Sequence, residues 1–222
     1  MELREYLSIR RAYNLVRQDM GADRRLTFVE LAILCRLNSL GCSMKTSEIA
    51  EYQGSLRPTM THRTKHLAEM GLMLRSKGSS DRRNVVCEIT EEGSAFVDEI
   101  CLHICEVLRN GAILSRTTPQ RICRYVDAMG SVTCMSGDLV LLGIMVVPDQ
   151  RATVSELVGA LGLLQPTVSM AVSALEGDGL IARCRLPESS ARSVEIVLTD
   201  EGRERAVEMG EAIKALVVRR KP

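Results

Sequence analysis

The sequence repeats itself, and the repeat governs what the chain can fold into. SLRPTMTHRTKHLAEMGLM, from Ser55, returns as LLQPTVSMAVSALEGDGLI from Leu163. Pro58, Thr59, Leu67, Gly71 and Leu72 are answered 108 positions later by Pro166, Thr167, Leu175, Gly179 and Leu180. TSEIAEYQG from Thr46 matches VSELVGALG from Val154 at the same offset, and VELAILCRL from Val29 matches GDLVLLGIM from Gly137. ITEEG at Ile89 matches LTDEG at Leu198 with the offset grown to 109, so one residue has entered a stretch that reads as loop, where insertions are tolerated. A repeat this long divides the 222 residues into two similar units, placed at 1–113 and 114–222.

Each copy predicts helix, helix, helix, two strands, helix. The leading helix carries Ile9, Ala12, Tyr13, Val16 and Met20 on one stripe, and Thr27 caps a second helix over Thr27 to Asn38. A short helix at Thr46 to Gln53 precedes one beginning near Arg57; in the second copy Thr153 and Glu156 have the spacing of a capping box. Leu56, Met60, Thr64 and Leu67 form one apolar face, matched by Leu164, Val168, Val172 and Leu175. Pro58 and Pro166 fall in the first turn, where a missing N–H costs little, and Gly71 and Gly179 suit the left-handed position that ends a helix. Strands then start at Leu72 and Leu180, with second strands at Val85–Ile89 and Val194–Leu198. Thr90 and Thr199 cap the closing helices. The expected fold is mainly α with small β-hairpin wings (α+β): two winged helix-turn-helix units in tandem around a helical hub.

Charge separates the copies. Between Gly54 and Arg83, seven basic residues (Arg57, Arg63, Lys65, Arg75, Lys77, Arg82, Arg83) face two acidic ones (Glu69, Asp81), a balance of +5. Between Gly162 and Arg192, Arg183, Arg185 and Arg192 meet Glu176, Asp178 and Glu188, a balance of zero. The whole chain is only +1, so affinity for nucleic acid has to come from local charge. On the helix from Arg57, residues Thr61, His62 and Lys65 point away from the apolar stripe while Arg57 and Arg63 flank it. A polar, basic face on the second helix of such a unit can enter a major groove. Arg57 and Lys65 can equally contact phosphates, and an ordinary solvated helix face has the same composition. Arg82 and Arg83 sit on the wing tip SSDRRN, where arginine can enter a narrow minor groove and Asp81 can hold one guanidinium. The second copy keeps only Arg192 there.

Composition narrows the remaining classes. The longest apolar run, Leu139 to Val147, falls far short of the roughly 20 residues that span a bilayer. MELREYLSIRRAYNLVRQDM breaks its apolar residues with charges and does not read as a secretory signal, so the expectation is a cytoplasmic protein without a membrane partner. The eight cysteines contain no CxxC pair and read as small buried thiols. Cys101 and Cys105 stand one turn apart and could share a ligand, but His103 is on the opposite face, so CLHIC is not a three-ligand cluster. His62 and His66 have the spacing of a metal pair, but Arg63 stands where a zincin has glutamate. No phosphate-binding glycine loop or nucleophile motif stands out, and neither an enzyme nor a cofactor or metal is expected.

LTFVELAIL, TSEIAEYQGSLRPTMTHRTKHLAEMGLM and DRRNVVCEITEEG, with their second-copy equivalents, resemble the MarR family of bacterial transcription regulators. The resemblance implies a regulator of double-stranded DNA. On that reading Arg57, Thr59, Thr61, His62, Arg63, Lys65, Arg82 and Arg83 carry the contacts of the first copy, with Asp81 supporting the wing. Gln165, Thr167, Ser169, Ser173 and Arg192 remain for the second. Family members are usually homodimers joined through their terminal helices, and two units in one chain resemble the tandem form of SarA-like relatives. This implies a monomeric pseudo-dimer, with further dimerisation open. The hub helices would carry Phe96, Val97, Ile100, Ile104, Val107 and Leu108; Ile122, Tyr125, Val126 and Met129; and Ala206, Met209, Gly210, Ile213, Leu216 and Val217. These stripes can equally pack within their own halves.

A fused pair need not apply the same reading head twice, so the expected operator is imperfectly palindromic, with half-sites about one helical turn apart and the first copy dominating affinity. The family also implies control by a small-molecule effector or by cysteine oxidation; effector residues are not legible. A protein-binding winged helix, with the neutral second copy as an interaction module, is the alternative from a different class.

Overall fold

The computed structural model describes residues 1–77, 84–185 and 194–218. The predicted wing residues Asp81, Arg82, Arg83 and Arg192 lie outside them. The described chain is mostly helical with two small antiparallel sheets. In chain order the elements are α1 (Leu3–Asp19), α2 (Phe28–Leu40), β1 (Met44–Lys45), α3 (Thr46–Tyr52), α4 (Arg57–Glu69), β2 (Met73–Lys77), β3 (Val85–Ile89) and α5 (Glu91–Arg109). The second repeat follows with α6 (Pro119–Met129), α7 (Ser136–Val146), β4 (Arg151–Ala152), α8 (Val154–Leu161), α9 (Gln165–Gly177), β5 (Ile181–Arg185), β6 (Val194–Leu198) and α10 (Asp200–Lys214).

The chain forms two compact units whose boundaries differ from those of the repeats. One comprises Met1–Leu15 with Cys134–Ala215, the other Val16–Thr133 with Leu216–Pro222. The leading helices are thus exchanged. Most of α1 packs with the second repeat, where Arg11 Nε donates to the Gly159 carbonyl at 2.8 Å and Asn14 Nδ2 to that of Leu161 at 2.9 Å. Helix α6 packs with α2 and α5 of the first.

In the unit containing Val16–Thr133, α2 is the central helix. Thr27 Oγ1 caps it by accepting from Glu30 N at 3.3 Å, and Glu30 Oε2 accepts from Thr27 N at 2.8 Å, so two otherwise orphaned donors are satisfied. Leu31, Ile33, Leu34 and Leu37 are fully buried on it, and burial of each such side chain contributes about 1.5–3 kcal/mol. The sheet runs β1-β3-β2, with Met44 opposite Cys87 and Arg75 opposite Cys87 on the other side. In the other unit α7 takes the central place, and the sheet runs β4-β6-β5, with Arg151 opposite Val197 and Ala182 opposite Val197. The two-residue strands β1 and β4 turn each expected hairpin into a three-stranded sheet.

The predicted punctuation is present. Gly71 and Gly179 sit at φ of 75° and 74°, the left-handed region that only glycine enters without strain. Thr90 and Thr199 accept from Gly93 N and Gly202 N at 2.9 and 3.1 Å, capping α5 and α10. The strands β2 and β5 begin one residue later than expected.

Two stripes need correction. Leu56 and Leu164 are not core residues: each is the extended cap residue before its helix, 76% and 56% exposed, so the buried faces begin at Met60 and Val168. Leu216 and Val217 lie beyond the end of α10, the first half-buried and the second 77% exposed. The stripe residues of α5 and α6 are buried apart from half-buried Val107.

Candidate nucleic-acid interface

Helix α4 is built to bury one side and present the other. Met60, Thr64 and Leu67 are completely buried, and Thr64 Oγ1 donates to the Met60 carbonyl at 3.0 Å, which makes a hydroxyl tolerable in that face. Pro58 occupies the first turn without breaking a helical hydrogen bond. On the opposite side Arg57, Thr59, Thr61, His62 and Lys65 are exposed together. Thr61 Oγ1 donates to the Arg57 carbonyl at 2.9 Å. Lys65 stands 3.4 Å from Glu69, a solvated pair that constrains it little. Arg63 is half-buried, and its Nη1 donates to Ser55 Oγ at 3.4 Å, so it is held toward the turn before the helix.

A link absent from the second repeat ties α4 to the central helix. His66 Nδ1 lies 2.7 Å from Glu30 Oε1, and that carboxylate, 7% exposed, also closes the α2 cap. This fixes one nitrogen of His66, so His62 and His66 are not a free metal pair. In the second repeat Asp138 replaces Glu30 and Ala174 replaces His66. Asp138 accepts from Met135 N at 2.8 Å and pairs with Arg205 at 3.4 Å, without reaching α9.

Helix α9 has the same frame and a different face. Val168 and Val172 are fully buried and Leu175 nearly so. Gln165 and Ser173 are exposed, and Thr167 and Ser169 are half-buried. Met170 is 74% exposed where α4 has His62. Arg183 from β5 lies 3.3 Å from Glu176 and donates to Ser173 Oγ at 3.3 Å, so this cation is paired across the face. The two faces differ in the residues they carry: Arg57, His62 and Lys65 on α4 stand where α9 has Gln165, Met170 and Ser173.

Residues 26–85 match the MarR family. This MarR-family segment runs from the residue before the α2 cap to the first residue of β3, and so takes in the central helix, α3, α4 and the first two strands. A domain of this family is that of a DNA-binding transcription regulator. No curated protein matches the chain. Among solved structures, the crystal structure of the YusO protein from Bacillus subtilis is 24% identical, covering 50% of this chain and 75% of YusO with a TM-score of 0.40. A structure of Bordetella bronchiseptica BpsR, whose DNA binding is regulated by 6-hydroxynicotinic acid, is 22% identical, covering 46% of this chain and 78% of BpsR with a TM-score of 0.32.

Two clefts of about 470 Å³ each flank Arg24 and Glu99 in the same unit as the MarR-family segment. One is lined by Met70, Leu72, Ala95 and Phe96, the other by Val16, Met20, Ile100 and Val107. Arg24 and Glu99 pair at 2.8 Å, and the guanidinium lies 5.3 Å from the Phe96 ring centre. Among the described residues no single helix is long and apolar enough to cross a membrane.

Six of the eight cysteines are buried; Cys42 is exposed and Cys184 half-buried. One arrangement among them escaped the sequence reading. Cys35 of α2, Cys101 of α5 and Cys123 of α6 bring their sulfurs within 4.8 Å of one another. Cys105, the expected neighbour of Cys101, is not part of this trio. Only tertiary packing joins positions so far apart in the chain.

Proposed function

We propose that the chain is a sequence-specific regulator of double-stranded DNA in which α4 reads a major groove and the Arg82–Arg83 tip follows the adjacent minor groove. The observation that carries this reading is the exposed face Arg57, Thr59, Thr61, His62 and Lys65 opposite a fully buried stripe. Arg57 and Lys65 suit phosphate contact, which sets register; Thr59, Thr61 and His62, nearer the N-terminus, suit base edges. Arg63 fixes the entry turn through Ser55 and becomes a phosphate contact on rearrangement.

The two units act as one pseudo-dimer with unequal heads. Gln165, Thr167, Ser169 and Ser173 offer hydrogen-bonding groups without net charge, so the second head adds selectivity more than affinity. Arg192 supplies its remaining wing cation. The exchange of α1 and α6 between repeats supports this reading, because each lobe is completed by a helix from the other half of the chain. A small-molecule effector fits the clefts around Arg24, whose volumes lie in the range usual for ligand sites. No catalysis is assigned. The protein is read as cytoplasmic.

Selection of bound duplexes from a random pool, followed by hydroxyl-radical footprinting, tests the proposal. The expected result is two protected half-sites about 34–36 Å apart, unequal in sequence and in strength of protection. A selected site that is a perfect palindrome, equally protected on both sides, contradicts the unequal heads; no enrichment favours the protein-binding alternative.

A further inference from the structure

The trio Cys35, Cys101 and Cys123 comes from three helices of one unit. Cys35 and Cys101 are 0% exposed and Cys123 is 6% exposed, so Cys123 provides the way in. The three sulfurs lie within 4.8 Å of one another. Cys123 Sγ also lies 3.5 Å from Ser39 Oγ and 3.7 Å from the Cys35 carbonyl. Hydrogen bonds from Cys101 and then Cys35 hold the Cys123 thiol below its ordinary acidity range, while burial pushes Cys35 up and the bond to Cys123 pushes Cys101 up.

The fold does not require sulfur at these positions. In the repeat register Cys35 corresponds to Gly143 and Cys101 to Gly210. A Cβ at Gly143 would stand 3.3 Å from the side chains of Leu157 and Leu161, so that position of the other unit takes no larger side chain without displacing them. Only the unit with the basic helix gathers three thiols there.

We propose that Cys35, Cys101 and Cys123 form a three-thiolate site for a trivalent metalloid, of the class of arsenite and antimonite. Thiolates select soft ions, and a trivalent metalloid, which keeps a lone pair, sits above the plane of three sulfurs as the apex of a pyramid. With bonds of about 2.3 Å those sulfurs stand less than about 4 Å apart, and the trio, already within 4.8 Å of one another, closes to that by side-chain adjustment. Coordination number and charge choose among soft ions. Zinc takes four ligands, and among the described residues the group offers three. Three thiolates around a divalent ion carry one net negative charge, and around Cu(I) two; burying uncompensated charge is costly. A trivalent metalloid gives a neutral tris-thiolate. In the reaction with As(OH)₃, three As–S bonds form and three As–O bonds break. Each thiol proton leaves on one departing hydroxyl, three waters are released, and arsenic stays trivalent, so no oxidant or reductant is needed. Binding here does not depend on the DNA-binding reading.

The test uses the reduced full chain, incubated with arsenite, desalted and weighed intact under native conditions. One arsenic atom in place of three protons is expected. Cys35→Ala, Cys101→Ala and Cys123→Ala should each lose it, while Cys42→Ala/Cys184→Ala should retain it. Thermal melts guard against misfolding: arsenite should raise the melting temperature of the wild type and of Cys42→Ala/Cys184→Ala, and should not raise that of a folded trio variant. Arsenic lost only in Cys42→Ala/Cys184→Ala, or no arsenic in the wild type, overturns the site. Displacement of arsenic by equimolar Zn²⁺ or Cu(I) overturns the charge argument and the assignment with it.

Discussion

Glu30 joins two helices, and removing it should cost more than removing either partner. Its carboxylate accepts from Thr27 N and Thr27 Oγ1, both at 2.8 Å, and meets His66 Nδ1 at 2.7 Å while only 7% exposed. Glu30→Ala breaks all three contacts and leaves the cap at Thr27, an exposed residue, without its acceptor. With hydrogen bonds to charged groups worth about 1.5–3 kcal/mol each, and partial re-solvation of the freed donors, the expected loss is about 3–5 kcal/mol. His66→Ala breaks one of the three at a ring 42% exposed and leaves the Thr27 cap closed, so its loss should be about 1 kcal/mol. The assay is urea unfolding of wild type, both single variants and the double variant. In the Glu30→Ala background, His66→Ala should be nearly silent, because its partner is already gone. If His66→Ala costs the same in both backgrounds, or Glu30→Ala costs no more than His66→Ala, the link between α2 and α4 is not what the geometry implies.

Other outcomes follow from single contacts. A Cβ at Gly93 would overlap the Leu72 carbonyl oxygen, so Gly93→Ala must push α5 from the sheet and should cost about 1–3 kcal/mol in a thermal melt. Gly177→Ala, with nothing within 4 Å, should stabilise by about 0.5–1 kcal/mol. Thr153→Ala opens the cap of α8 and should cost about 1 kcal/mol. The Thr153 backbone N–H and then its hydroxyl hold Glu156 below the ordinary glutamate range. This stabilisation is present above the unfolded value and is lost as pH falls through the lower folded one; stability measured from pH 6 to 3 should show this loss in the wild type, a smaller one in Thr153→Ala, which keeps the backbone N–H, and none in Glu156→Gln.

Much of this fold was legible because two copies of the sequence agree on punctuation. Gly71 with Gly179, Thr90 with Thr199 and Pro58 with Pro166 mark element ends through local backbone chemistry, which needs no knowledge of packing. Leu56 and Leu164 misled for the complementary reason. Helical spacing places them on the apolar stripe, but an extended backbone at the cap turns them out to solvent. β1 and β4, at two residues each, are too short to leave a period. The exchange of α1 and α6 was invisible, since an apolar stripe states that it is buried without stating against what. The same limit hid the thiol trio and the Glu30–His66 contact, where the partner lies 36 positions away. For the candidate interface, the exposed side of α4 was readable from its period; the pinning of Arg63 by Ser55 was not.

The most direct test of the unequal heads is fluorescence anisotropy on a selected duplex across a salt series. Wild type is compared with Arg57→Ala/Lys65→Ala on α4 and Gln165→Ala/Ser173→Ala on α9. The account predicts steep salt dependence, with the α4 pair weakening binding at every salt concentration and reducing the logarithmic slope by about 2, at roughly 0.9 for each phosphate no longer neutralised. The α9 pair should leave that slope unchanged. A slope lowered equally by both pairs, or binding indifferent to salt, would contradict it.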